Sequence, residues 1–191
     1  MLVPYMNLSD FISVINQQYL KNYHTVLIGG FSEPFYQPAQ LGEPAQIQFT
    51  HDYFRSALHE LAHWCVAGEE RRKLPDYGYW YAPDGRTQAQ QELFFTCEVV
   101  PQAFEWALSL ASGIKFDVSV DNLSNTTSGA DDFKQAVREK LQNYLHNGFP
   151  ARTEALLQVI YQARTDLTGF KNLSGLNKDD LYQYLHLEKL D

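Results

Sequence analysis

Residues 53–68 read Tyr53-Phe54-Arg55-Ser56-Ala57-Leu58-His59-Glu60-Leu61-Ala62-His63-Trp64-Cys65-Val66-Ala67-Gly68. Ala57, Leu58, Leu61, Ala62 and Cys65 recur at helical spacing and give two apolar faces, which predicts a largely buried helix over 53–67. Thr50 or Asp52 can cap its start, and Gly68 can end it. Positions i and i+4 of a helix share a face, so His59 and His63 can direct two imidazoles at one ion. Glu60 is turned by about 100° from His59 and can reach the open side of that ion as a carboxylate base. The plainer alternative is a pair of core histidines bonded to neighbouring backbone. It leaves buried imidazole nitrogens to satisfy. His59 and His63 are therefore the expected ligands of one metal ion, in a zincin-like His-Glu-x-x-His helix.

Two histidines rarely complete a catalytic metal site, so a third protein ligand is expected. A Gly at 66 and a His at 69 would supply one locally, but the chain has Val66 and Glu69. The next long helical stretch carries Glu92 and Glu98. Glu98 lies within Cys97-Glu98-Val99-Val100-Pro101, an apolar setting in which an unpaired carboxylate is costly. That burial argument favours Glu98 over Glu92. His51, just before the metal helix, is read as a loop or capping residue, with a place behind the ligands as the alternative. His24, His146 and His186 are isolated. Cys65 should point away from the ion, and Cys65 and Cys97 are both expected in the core.

Outward from this centre, Phe11, Ile12, Ile15 and Tyr19 predict a helix over 8–20, capped by Asn7 or Ser9. Residues 24–29 read as a strand ending at Gly29-Gly30, 31–45 as a proline-bearing loop and 46–50 as a short strand. Glu70 to Lys73 is a charge run expected on a solvated face. Thr87 and Gln90 form a capping-box pattern for a long helix to Ser112-Gly113, which Pro101 should kink or split. Ile114, Phe116, Val118 and Val120 alternate and predict a half-buried strand over 114–120, followed by a polar loop over 121–129. Helices follow near 131–146, 151–164 and 178–187, the first two separated by Gly148-Phe149-Pro150. The fold class is α+β: a helix-rich single domain over residues 1–191 with a small mixed sheet.

The 191 residues suit one compact domain with a real core. A net charge of -8 is unsuited to coating nucleic acid phosphates and tolerates cationic substrates. Two cysteines make no disulfide framework in a chain of this length. Residues 1–10 lack a basic region and an apolar run, and no stretch approaches the roughly 20 apolar residues of a membrane span. A cytoplasmic protein with no membrane or nucleic acid partner is expected.

Two His and one carboxylate serve two chemistries. With zinc and a bound water they make a metallopeptidase, with Glu60 as general base. With Fe(II) and open positions they make a site for oxygen activation. Spacing alone leans to zinc.

Beyond the metal motif, the chain carries Glu70-Arg71-Arg72-Lys73, Tyr77-Gly78-Tyr79-Trp80-Tyr81-Ala82-Pro83-Asp84-Gly85-Arg86, Glu98-Val99-Val100-Pro101-Gln102-Ala103 and Asp121-Asn122-Leu123. Together with His59-Glu60-Leu61-Ala62-His63-Trp64-Cys65, these blocks resemble the bacterial elongation factor P hydroxylase family. The resemblance is dense over residues 59–123. It implies a non-heme, oxygen-dependent enzyme, an oxidoreductase, that hydroxylates a lysine of elongation factor P after that lysine has received a β-lysyl group. It implies His59, His63 and Glu98 as the metal ligands. Fe(II) is then expected for activity, because zinc cannot change oxidation state; zinc or another divalent ion can still occupy the site. Tyr79, Trp80 and Tyr81 are candidates for a substrate-side wall, their rings facing an ammonium by cation–π contact. An ordinary core strand is the alternative. Asp76 and Asp84 follow the metal helix and could line the same cleft. Arg86 could orient a carboxylate such as Glu98 or Asp84.

Overall fold

A computed structural model describes residues 5–78, 87–119 and 129–169. Asn7 starts the first helix by accepting the Asp10 N–H with its side chain, the capping bond that satisfies a donor with no partner inside the helix. This helix, α1 (Leu8–Val14), widens into a π-helical turn over Ile15–Tyr19 and tightens into a 3₁₀ turn over Leu20–Tyr23. Asn16 sits in the widened turn, and its amide brackets the backbone of Leu27, donating to the carbonyl and accepting the N–H.

Three strands follow, β1 (Thr25–Phe31), β2 (Phe35–Gln37) and β3 (Ala45–Thr50), in the order β1-β3-β2. β1 runs parallel to β3, with Leu27 opposite Ile47, and β2 runs antiparallel to β3, so the small sheet is mixed. The loop expected over 31–45 therefore contains a strand. Three residues between Pro34 and Pro38 are too few to show a period of two. β1 bulges between Ile28 and Phe31. At Gly29 an added Cβ would stand 2.5 Å from the Phe49 ring and 2.7 Å from the His51 carbonyl oxygen, so only glycine fits.

Helix α2 (Phe54–Val66) packs on β3 and β1. Ala57, Leu58, Leu61, Ala62, Trp64 and Cys65 are its buried residues. Its two ends differ from expectation. Neither Thr50 nor Asp52 caps it; Tyr53 stands at the cap without a side-chain bond, and Ser56 Oγ instead accepts the Thr50 N–H. Its C-terminal carbonyls are taken by arginines. Arg152 donates to the carbonyls of Cys65 and Ala67, each at 2.6 Å, and Arg72 donates to Ala67 at 2.7 Å. Both guanidinium groups lie over the Trp64 ring, at 4.7 Å and 5.5 Å from its centroid. The charge run at 70–73 is thus only partly a solvated face: Glu70 and Lys73 pair on the surface, while Arg72 turns inward.

The capping box of Thr87 and Gln90 opens α3 (Gln88–Ser112), and Gly113 closes it at a φ of 77°. The helix passes through Pro101 without being divided in two. It packs against α2, α4 (Ala130–Asn147) and α5 (Ala151–Thr168), the last two separated at Gly148-Phe149-Pro150. Residues 114–119 do not form the expected strand. Their alternation is real, but it meets a helix: Phe116 stacks on Trp106 of α3 at 5.0 Å. Gln102 exchanges two hydrogen bonds with the backbone of Ser119, so no neighbouring strand is needed to hold the segment. The helix expected over 178–187 and most of the loop over 121–129 lie outside the described residues.

Candidate metal centre

Burial of α2 against the sheet fixes which face it turns to α3, and that face carries His59 and His63. Their rings stand 4.6 Å apart between centroids, and the two Nε2 atoms face each other at 3.0 Å. Two nitrogen lone pairs at that distance repel unless a cation, proton or metal, lies between them. From α3, Glu98 brings Oε1 to 3.3 Å from His63 Nε2 and Oε2 to 3.7 Å from His59 Nε2. One ligand atom from each of the three residues lies within 4.8 Å of the others. Glu98 is 2% exposed, and its Oε2 is buried without a hydrogen-bond partner among the described residues. An orphaned carboxylate oxygen beside two converging imidazoles is a donor set that fits a divalent ion. The histidine side chains are 27% and 14% exposed, so access is from the imidazole side.

The electrostatics follow from burial. His59 is pushed up to about 10: burial, which opposes its charge, is outweighed by the hydrogen bond to Glu105 and by the charges of Glu98, Glu105 and Glu60. Glu98 is held down to about 2, because His63, His59 and the Gln102 amide outweigh the effect of burial. Glu60 is shifted the other way, upward, by burial, against the pull of both histidines.

Glu92, the weaker candidate for third ligand, is exposed. His51 is an exposed turn residue with a φ of 47°; its carbonyl accepts the Gly30 N–H, and its ring lies against Tyr53. Burial pushes the Cys65 thiol up to about 12, which leaves it an inert core residue, and Cys97 is half-buried. Asp76 is half-buried in the turn Pro75–Gly78, where it and Tyr77 both hold positive φ, at 46° and 57°. Its Oδ1 accepts the Tyr36 N–H at 2.8 Å, and its charge acts on both His63 and Glu60. Tyr79, Trp80, Tyr81, Asp84 and Arg86 lie outside the described residues. Sequence reading missed Glu105, which accepts a hydrogen bond from His59 Nδ1 at 2.8 Å. The signal was present: Glu105 follows Glu98 by two helical turns on one face of α3.

A helix-rich α+β fold that converges two imidazoles and a buried carboxylate on one point fits the class of single-ion domains with two His and one carboxylate ligand. The chain belongs to the elongation factor P hydroxylase family, which matches residues 14–168. It is similar to the elongation factor P lysine hydroxylase of Haemophilus influenzae. The two are 44% identical over 164 residues, which span 84% of this chain and 92% of the relative. Neither description is that of a peptidase.

Proposed function

We propose that this protein hydroxylates a lysine side chain of elongation factor P that already carries a β-lysyl group. Family membership over residues 14–168 carries the reading, and the cluster of His59, His63 and Glu98 offers it an ion site. In this reading residues 1–191 form one hydroxylase domain, acting in the cytoplasm on a protein substrate, with neither nucleic acid nor membrane as partner.

His59 and His63 would hold the ion through Nε2, and Glu98 through its carboxylate. Bound there, Fe(II) supplies the redox chemistry with molecular oxygen that zinc lacks. Burial raises the Glu60 carboxyl above its ordinary range in the metal-free protein. That carboxyl is in place to give or take a proton beside the histidines. In this reading Tyr79, Trp80, Tyr81, Asp84 and Arg86, all outside the described residues, are the proposed contacts of the substrate arm. Asp76 adds a carboxylate whose charge acts on His63 and suits a cationic arm.

The test is mass spectrometry of β-lysylated elongation factor P incubated with the full chain, Fe(II), a two-electron reductant such as ascorbate, and air, so that one oxygen atom can enter the lysine while the other leaves as water. The expected result is a gain of one oxygen on the modified lysine, absent with His63→Ala. An unchanged mass with iron-loaded protein overturns the proposal. A generic peptide library should survive the zinc-loaded protein intact; zinc-dependent cleavage lost in Glu60→Gln would restore the metallopeptidase alternative.

A further inference from the structure

His59 is held from behind as well as from the front. Its Nδ1 lies 2.8 Å from Oε2 of Glu105, a residue 4% exposed. An ionised carboxylate has no hydrogen to donate, so Nδ1 must carry the proton and give it to Glu105. In the neutral ring this leaves Nε2 with the lone pair, and Nε2 is the atom turned to His63 and Glu98. The alternative tautomer would put a hydrogen where a metal must bind. Among the described residues His59 is the sole polar partner of Glu105, so the carboxylate satisfies no helix end and no backbone donor. Its place on α3 also matters. Glu98 and Glu105 share one face two turns apart, so a single helix supplies a carboxylate to each side of the same imidazole.

We infer that Glu105 is a positioning residue of the metal centre: it fixes the tautomer and the ring plane of His59 and sets a second negative charge behind the ligands. The site's own charge is then that of two carboxylates, which a divalent ion neutralises. The inference rests on the ion-site reading of His59, His63 and Glu98.

Co(II) is a suitable probe, because its binding is followed by absorbance and by shifted proton resonances of the ligand rings. The full chain, stripped of metal, is titrated with Co(II) as parent, Glu105→Gln and Glu105→Ala. Both variants should bind about 10- to 100-fold more weakly, the usual effect of losing a carboxylate behind a ligating histidine. Glu105→Gln, near-isosteric, should still melt with the parent. In the Co(II)-loaded parent, labelled with ¹⁵N-histidine and assigned through bonds, the His59 ring N–H should exchange slowly with solvent. In Glu105→Ala it should exchange freely while the His63 signal is unaltered, a change that a merely space-filling role would not produce. Parental affinity in both variants with the ring N–H still protected overturns the inference and leaves the ion site standing. A parent protein that takes up no Co(II) overturns the site and the inference together.

Discussion

Oε1 of Glu98 lies 3.3 Å from Nε2 of His63, although the two belong to different helices and are separated by a stretch outside the described residues. The contact depends on α2 and α3 packing face to face. It joins the one fully buried carboxylate of the triad to the less exposed of its two imidazoles. If the three residues hold an ion, Glu98→Ala should lower metal content as far as His63→Ala does, while Glu92→Ala should keep it. Metal analysis of the three purified variants decides. Full occupancy in Glu98→Ala would remove Glu98 from the ligand set.

The pH dependence of the metal-free protein follows from two opposite shifts. Glu98 is held down to about 2 from about 4.5, so its contribution to stability is complete above 4.5 and is lost as the pH falls towards 2. His59 is pushed up to about 10 from 6.5, so its contribution is complete below 6.5 and is lost as the pH rises through 10. The urea midpoint of metal-free protein should therefore decline on the alkaline side of neutrality. Metal-loaded protein should resist that decline, because the ion takes the position of the proton. A metal-free midpoint that climbs steadily towards pH 10 would contradict the arrangement.

Arg152 closes the C-terminal end of α2 with two hydrogen bonds and a stack on Trp64. Arg152→Ala leaves two carbonyls without that donor and should cost about 1.5–3 kcal/mol. Arg152→Lys should recover little, because an ammonium cannot offer the same planar fork over a ring. Equilibrium urea unfolding measures both.

Gly29→Ala places a methyl 2.5 Å from the Phe49 ring. Overpacking of this kind costs about 1–3 kcal/mol. The melting temperature should fall with metal affinity unchanged, since neither Gly29 nor Phe49 belongs to the triad.

Trp80→Ala tests the substrate wall. If the ring faces the modified lysine, the variant should melt normally and bind metal, yet modify β-lysylated elongation factor P more slowly. Loss of a core ring would instead destabilise the fold by roughly 3–5 kcal/mol. A normal melt with the parental rate would take this stretch out of the site.

The triad was legible in the sequence because helical geometry is periodic: four residues bring His63 over His59, and an apolar neighbourhood marks Glu98 as buried. The long helices were legible for the same reason, down to the capping box at Thr87. What escaped were features set by distant partners. The alternation at 114–118 has the period of a strand, yet what it meets is Trp106 and Gln102 on a helix. The end of α2 was assigned to Gly68, whereas Arg152 and Arg72 supply the donors. Glu105 shares a face with Glu98, but only the packing of α3 on α2 sets it against His59.

Residue 152 has a consequence for how the protein is made. Its side chain binds carbonyls 87 and 85 positions earlier, and its backbone carbonyl accepts the Tyr19 hydroxyl from 133 positions earlier. A ribosome that has finished residues 59, 63 and 98 has synthesised the whole triad, but not the clasp that ties the end of the histidine helix to the N-terminal segment. A nascent chain halted just before residue 152 thus carries all three residues of the cluster and only part of the frame. If His59, His63 and Glu98 hold an ion, its capture belongs on this account to the finished chain rather than to its synthesis.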